Sequence, residues 1–225
     1  MVVRRVTLVC LAAAVLAACS DDTRVVFTQV NWMEWPAAVL PAQSFSVRLV
    51  GFNAGCGDAR FSSGMTVDNS AVTFEPFFVF NGPQIACPLA LHGAATAPPI
   101  FAFFDVQSTV AGLTAPTARS YDLRAATDVA IPATGPSSIP VRTFGTIGVR
   151  SDSVDASRTN AGGRVSASRD SGGCVRIFAG VSQYVVENPP ADTATFWAAF
   201  VEGYLYKPAA TVCGDSIVFH LVSRN

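Results

Sequence analysis

The stretch GRVSASRDSGGCVRI, residues 163–177, indicates how the C-terminal part of the chain folds. It has the pattern of a strand that ends at a pair of glycines followed by Cys174. A second strand closes at Asn188, directly before two prolines, and a third surrounds Glu202. Cys213 then leads into a terminal strand, so this part of the chain is predicted to consist of short strands joined by turns.

Alternation of apolar and polar residues extends this prediction to the whole chain. Phe45, Val47 and Leu49 alternate with Ser46 and Arg48, which is the period of a half-buried strand. The same alternation recurs at residues 121–124 and 218–221. No stretch keeps a helical period over three turns, and 17 glycines and 14 prolines interrupt the chain at short intervals. The predicted fold class is therefore all-β.

The C-terminal part, residues 144–225, resembles small secreted OB-like β-barrels. In such barrels a strand that ends in a Gly-Cys turn is tied to the last strand by a disulfide, as Cys174 and Cys213 would be here. The similarity covers about 65 residues and consists mostly of glycines and cysteines. The resemblance implies a fold but does not identify a binding or catalytic site.

The N-terminal half, residues 24–130, resembles an immunoglobulin-like β-sandwich. PAQSFSVRLVGFNAGC (41–56) and GLTAPTARSYDLRAA (112–126) are similar to the opening and closing strands of that fold. The segment AIPATGPSSIPVRT (130–143) contains three prolines, one glycine and two serines. We interpret residues 131–143 as a semi-stiff linker between two β domains.

The first residues have the order of a secretory signal. Two arginines precede the apolar run 6–18, which is too short to span the hydrocarbon of a bilayer. Leu16-Ala17-Ala18-Cys19 resembles the lipobox of bacterial lipoproteins. The resemblance implies that residues 1–18 are a signal peptide, that Cys19 is acylated, for example with palmitate, and that residues 19–23 are a lipid-anchored tether.

This resemblance implies a location in the cell envelope. Ser20 after the cysteine is similar to the outer-membrane sorting pattern, so we expect an outer-membrane protein that faces the periplasm or the cell surface. Several buried acyl chains would anchor the chain firmly. Only Ser20 to Arg24 separate the lipid from the first strand, a reach of less than ~20 Å, so the N-terminal domain is predicted to lie close to the membrane.

Four of the six cysteines remain once Cys10 leaves with the signal and Cys19 takes lipid. In an oxidising compartment they predict two disulfides, for which three pairings exist. The domain organisation favours Cys56 with Cys87 and Cys174 with Cys213. Spacings of 31, 87 and 39 residues provide no close ligand pair, so we expect no zinc site.

Charge argues against nucleic-acid binding. Removal of residues 1–18 leaves 15 − 2 = 13 basic and 16 acidic residues, a formal charge of 13 − 16 = −3. A basic stripe that could bind nucleic acid is missing from the sequence. The mature chain is nevertheless about half hydrophobic, which is ample for a core.

Motifs for catalysis are weak. Gly214-Asp215-Ser216 matches the nucleophile block of GDS-type esterases but precedes a strand near the end of the chain. His92 and His220 fall in a predicted loop and a predicted strand, and Asp152 and Asp155 do not complete a calcium loop. We therefore predict no catalytic residues, no metal and no cofactor.

Two hypotheses about function follow. The first is a membrane-anchored lipoprotein with a non-enzymatic binding or structural role, whose partner is an envelope protein or a glycan. The alternative is an envelope hydrolase with a site at the domain junction. The phenylalanines are relevant to the binding hypothesis. FEPFFVF (74–80) and IFAFF (100–104) carry seven of them. Adjacent phenylalanines of a strand point to opposite faces of the sheet, so both faces need cover. We expect both faces to be covered within the monomer; the alternative is that a partner protein or the bilayer covers the second face.

Overall fold

A computed structural model describes residues 24–53, 59–80, 102–114, 119–126, 140–151, 154–190 and 196–225. These residues form strands and turns without a helix, which confirms the all-β prediction. The strands are β1 (Arg24–Phe27), β2 (Val30–Pro36), β3 (Ala38–Val39), β4 (Phe45–Asn53), β5 (Ala59–Val67), β6 (Ala71–Phe80), β7 (Ala102–Val110), β8 (Arg119–Ala126), β9 (Val141–Val149), β10 (Arg158–Arg169), β11 (Val175–Ala179), β12 (Ser182–Val186), β13 (Phe196–Tyr206) and β14 (Val218–Arg224).

The last five strands form a closed barrel. Its order is β10-β11-β12-β14-β13, and β13 pairs with β10 again to complete the ring. All neighbours are antiparallel except β12 and β14, which are parallel. Alternate residues point into the barrel, so Val165, Ile177, Val201 and Phe219 are buried in its core.

The other nine strands form a half-barrel beside it. One layer contains β6, β8 and β9, and the opposite layer contains β2, β4 and β7. Apolar side chains from both layers meet in one core, among them Trp35, Leu49, Phe74, Leu123 and Phe144. Burying both sets of alternating residues holds the two layers together.

The immunoglobulin-like arrangement predicted for residues 24–130 is not confirmed. In that fold the sheets are antiparallel, whereas β6 pairs in parallel with β8 and β3 pairs in parallel with β9. Because β9 starts at Val141 and pairs with β8, the predicted linker 131–143 overlaps a strand of the half-barrel. The closed barrel uses strands from Arg158 onward.

The half-barrel and the barrel share β10, a strand of 12 residues. Its first part pairs with β2 and its last part pairs with β11, so the two bodies are joined by a continuous ladder. Gly163 permits the close approach: a Cβ there would lie 2.0 Å from the Asn31 carbonyl oxygen and 2.8 Å from the Trp32 Cα. Trp32 is consequently fully buried in the core of the barrel, although it belongs to β2.

Candidate functional site

A network of polar side chains connects the half-barrel to the barrel at their junction. Arg48 on β4 donates two hydrogen bonds to Asp105 on β7, from Nε at 2.8 Å and from Nη2 at 2.6 Å. The same guanidinium reaches the barrel, where Nη2 donates to Ser182 Oγ at 2.6 Å and Nη1 donates to Tyr184 Oη at 3.0 Å. One arginine thus joins two strands of the half-barrel to β12.

Glu34 on β2 is the acceptor at the centre of this network. Its Oε1 accepts hydrogen bonds from Trp32 Nε1 at 2.8 Å, Arg48 Nη1 at 2.8 Å and Tyr184 Oη at 2.6 Å. The side chain of Glu34 is only 12% exposed. Among the residues that the structure describes, Oε2 has no hydrogen-bond partner, so the three donors hold the carboxylate by one oxygen.

Electrostatics in the network follow from these contacts. Hydrogen bonding to Asp105 raises the pKa of Arg48, against the opposing effect of burial, and the same bond lowers the pKa of Asp105. Burial, together with the hydrogen bond to Glu34, raises the pKa of Tyr184 to about 12. Arg48 and Asp105 therefore stay charged and Tyr184 stays neutral across the physiological range.

A groove of about 600 Å³ lies at the same junction. Its walls come from β2, β3, the start of β4 with the preceding turn, Gln107 on β7, and the segment 154–159 that leads into β10. Trp35, Val39 and Phe45 give it an apolar side. Glu34 and Arg48 form part of the lining, so the polar network and the groove belong to one site. Its volume is in the range of small-ligand sites.

Charges in the groove balance. Glu34 and Asp155 contribute carboxylates, while Arg48 and Arg158 contribute guanidiniums. The Ser157 hydroxyl and backbone N–H donate to Asp155 Oδ1 at 2.5 and 2.8 Å, and these hydrogen bonds lower the pKa of Asp155. Arg158 lies over the ring of Tyr204, 4.7 Å from the ring centroid, and its side chain is exposed.

A second polar cluster occupies the outer surface of the barrel. The rings of Tyr204 and His220 stack with centroids 4.8 Å apart. His220 Nδ1 lies 2.8 Å from Glu187 Oε2, and Tyr206 Oη donates to Glu187 Oε1. These bonds, first that from His220, lower the pKa of Glu187, and the bond to Glu187 raises the pKa of Tyr206. His220 does not line the junction groove.

A third group of contacts, which we call the loop clamp, holds residues 207–217 against β11. Cys174 and Cys213 form a disulfide with a Cα–Cα distance of 6.1 Å, as the sequence predicts. Arg176 donates to Asp215 Oδ2 at 2.5 Å and to the Cys213 carbonyl at 3.2 Å, and it lies 3.8 Å from Asp170. Because Arg176 points out of the barrel, the loop lies against the outer face of β11 at this residue, while Phe178 on the same face is 39% exposed.

Several predicted residues lie outside the described part of the chain: Cys19, Cys56, Cys87, His92, Asp152 and the whole of residues 1–23. Asp215 of the Gly214-Asp215-Ser216 triplet is engaged by Arg176. Within the described residues, no group of three or more histidine, cysteine or acidic side chains is arranged to hold a metal ion. The same residues contain no helix with the length and apolarity needed to cross a bilayer.

Comparison with known proteins adds no relative. No protein-family model, curated protein sequence or solved structure matches the chain. Interpretation of the site therefore depends on its geometry.

Sequence reasoning missed the residues of the junction site. Glu34 and Arg48 appear in the sequence as ordinary polar positions of alternating strands, and Tyr184 is 150 residues from Glu34. Glu34 follows Trp32 by two positions on a strand, so the two side chains share a face and can form a hydrogen bond. This spacing was the signal in the sequence that could have indicated the site.

Proposed function

We propose that this protein is a membrane-anchored lipoprotein of the cell envelope with a non-enzymatic binding role, and that the junction groove is its binding site. The anchor is supported by the resemblance of Leu16-Ala17-Ala18-Cys19 to a lipobox and by the short distance in sequence from Cys19 to β1 at Arg24. The binding role is supported by the fixed, half-satisfied carboxylate of Glu34 beside an apolar wall.

We propose further that the barrel is of the OB type. Its strands, numbered one to five from β10, have the order 1-2-3-5-4, with the third and fifth strands parallel. OB-folds bind oligonucleotides and oligosaccharides on the face of strands two and three and in the neighbouring loops. Here the loop clamp lies on the outer face of β11, which is the second of these strands. Binding is therefore assigned to the junction groove and away from that face.

The groove favours a neutral ligand rich in hydroxyl groups. A ligand hydroxyl can donate to the Glu34 carboxylate, and a different hydroxyl of the same ligand can accept from the Arg158 guanidinium, which also lies over the Tyr204 ring; neither interaction requires a ligand charge. The equal numbers of carboxylates and guanidiniums in the lining disfavour a strongly charged ligand. Leu40, which lines the groove and is 39% exposed, can contact the ring faces of a sugar, which carry C–H groups. An uncharged segment of an envelope glycan is the ligand class that meets these conditions.

Titration with neutral oligosaccharides tests the proposal. Cellohexaose, maltohexaose and chitohexaose are added separately to the isotope-labelled soluble chain, and amide resonances are followed by NMR. We expect saturable shifts at residues 36–46 and 154–159 with at least one sugar. Arg158→Ala is expected to weaken that binding by roughly ten- to a hundredfold, since hydrogen bonds to a charged group contribute about 1.5–3 kcal/mol.

Arg164→Ala is the matched control, because Arg164 is exposed on the same strand and does not line the groove. It is expected to leave the affinity unchanged. Absence of saturable shifts at the groove with all three sugars would contradict the proposed glycan ligand. Equal weakening by both arginine variants would contradict the assignment of the groove.

The hydrolase alternative receives less support from the described residues. His220 has a carboxylate partner in Glu187, but this pair lies on the outer barrel surface and does not line the groove at the junction. Ser44 and Ser46 line the groove without a histidine beside them among the described residues. A nucleophile and its base are not brought together there.

A further inference from the structure

The strand ends at one end of the half-barrel lie together, and we call this end the tether-end rim. β1 begins here at Arg24 and pairs with the end of β6 at Phe80, which also pairs with the start of β5 at Ala59. Thr28 N–H continues this pairing by donating to the Pro76 carbonyl of β6, and the chain then crosses to the other layer. β2 starts opposite the end of β4, and the start of β7 pairs with the same part of β4.

Phenylalanine is concentrated in this rim. Eight of the chain's 16 phenylalanines occupy strand positions here: one each on β1, β4 and β5, three on the end of β6, and two on the start of β7. Phe77 and Val79 are half-buried on β6, on the side opposite to the buried Phe74. The register places Phe27 and Val25 of β1 directly opposite them. Apolar residues therefore occupy facing register positions on these two neighbouring strands.

The other end of the half-barrel is polar. The β5–β6 turn there carries Asp68, Asn69 and Ser70, all of which are exposed. The start of β4 lies at the same end, so the junction groove opens on this side of the half-barrel. Nine residues of β4, at about 3.4 Å each, separate the two ends by roughly 25–30 Å.

We infer that the tether-end rim rests on the surface of a lipid bilayer and that the groove faces away from it. This inference rests on the proposed lipid anchor at Cys19. Ser20 to Arg24 reach less than ~20 Å, so the lipid must enter the membrane beside the rim, and the polar end is too distant to take its place. The outer side of β6 carries the half-buried apolar side chains of Phe77 and Val79 here, and apolar side chains partition into the acyl boundary.

Lipid-phase quenching of a fluorescent label tests the orientation. Val79→Cys, in the rim, and Asn69→Cys, in the polar turn, are each labelled with bimane in the full acylated protein. The protein is reconstituted in phosphatidylcholine and phosphatidylglycerol vesicles that contain nitroxide-labelled lipid. We expect the nitroxide lipid to quench the label at position 79 several-fold more strongly than the label at position 69. In the chain without acyl groups, we expect iodide to quench position 69 more strongly, because Asn69 is exposed and Val79 is half-buried.

Two results would overturn the inference. Weak quenching at both positions would mean that the rim is covered by another part of this chain or by protein. Stronger quenching at position 69 would mean that the opposite end faces the lipid. The mass of the N-terminal peptide from the same preparation separates these results from failure of the anchor itself, because a peptide without acyl mass contradicts the lipoprotein proposal directly.

Discussion

The closed barrel and the half-barrel bury their cores in different ways. In the barrel, backbone ladders run through every neighbouring pair of strands, and β10 pairs on both sides within the ring. In the half-barrel, the two layers meet through side chains, such as Ser63 and Ser108, whose Oγ atoms are 3.3 Å apart. The barrel is nevertheless incomplete alone, because Trp32 and Val50 from the half-barrel are buried in its core.

Because the two bodies share core residues, we expect them to fold as one cooperative unit. Trp32 contacts the barrel through Tyr184 and Phe219, with ring centroids 6.0 and 5.5 Å apart. Glu34 and Arg48 then attach the same strands to β12 by hydrogen bonds. A chain divided into two independent domains would place neither contact across the boundary. Substitutions at the junction are accordingly expected to destabilise both bodies together.

The largest effect is expected from Trp32→Ala. Loss of a fully buried indole leaves a cavity in the barrel core, which should lower the free energy of unfolding by about 4–5 kcal/mol. Denaturant unfolding followed by circular dichroism and by tryptophan fluorescence measures it. Val222→Ala, at a residue 68% exposed, is the control and should change little. Two separate transitions, with only one of them shifted, would contradict the single cooperative unit.

Removal of the barrel's disulfide comes next. The double substitution Cys174→Ala and Cys213→Ala releases a loop closed over 39 residues, which should cost roughly 3–4 kcal/mol in the chain-entropy account. We expect both bodies to lose stability equally in hydrogen-exchange protection, although the disulfide lies in the barrel alone. Loss of protection limited to β10–β14 would show that the half-barrel is stable without the barrel.

The next prediction compares two carboxylates of the junction network: Glu34, which is mostly buried, and Asp105, which is more exposed. Glu34→Ala leaves the donors of Trp32, Arg48 and Tyr184 without their common acceptor, so we expect a loss of roughly 2–4 kcal/mol. Asp105→Ala is the matched comparison. Its side chain is 35% exposed, so solvent screening should reduce the loss to about 1 kcal/mol or less. Thermal unfolding of both variants at neutral pH measures the two losses of stability. Equal losses would contradict the role of Glu34 as the central acceptor of the network.

The smallest effect concerns pH. The pKa of Tyr184 is raised to about 12 in the folded protein, above its ordinary value of about 10. A raised folded pKa means that the stabilisation is complete below pH 10 and is lost as pH rises towards 12. We expect the stability difference between wild type and Tyr184→Phe to shrink over this range by roughly 1–2 kcal/mol, with allowance for partial exposure. Urea titrations at pH 9 and pH 11.5 measure this stability difference. The same difference at both pH values would contradict the conclusion that the hydrogen-bonded Tyr184 phenol is neutral.

The sequence predicted which face of each strand is buried more accurately than it predicted which strands pair. Phe45, Val47 and Leu49 are buried and Ser46 is exposed, as the alternation requires. The Cys174–Cys213 bond was also predictable, because both cysteines lie in one short strand-rich region. Periodicity gives the face of a residue but carries no information about which distant strand it will meet.

The pairing of β10 with β2 shows this limit most clearly. It joins residues more than 120 positions apart and depends on Gly163, which the sequence presents as one of 17 glycines. If that pairing is not known, neither the burial of Trp32 in the barrel core nor the Glu34–Arg48–Tyr184 network can be predicted from the sequence. The division into a sandwich, a linker and a barrel was therefore the simplest prediction from composition, although β9 and β10 connect the two bodies.

The most direct test of the anchored lipoprotein is the intact mass of the protein extracted from the membranes of its own host, with and without reduction. We predict a mature chain that starts at Cys19 and carries acyl mass, with Cys174 linked to Cys213 and Cys56 linked to Cys87. An N-terminus elsewhere, or an unmodified Cys19 thiol, would contradict the anchor and, with it, the orientation of the tether-end rim on the bilayer.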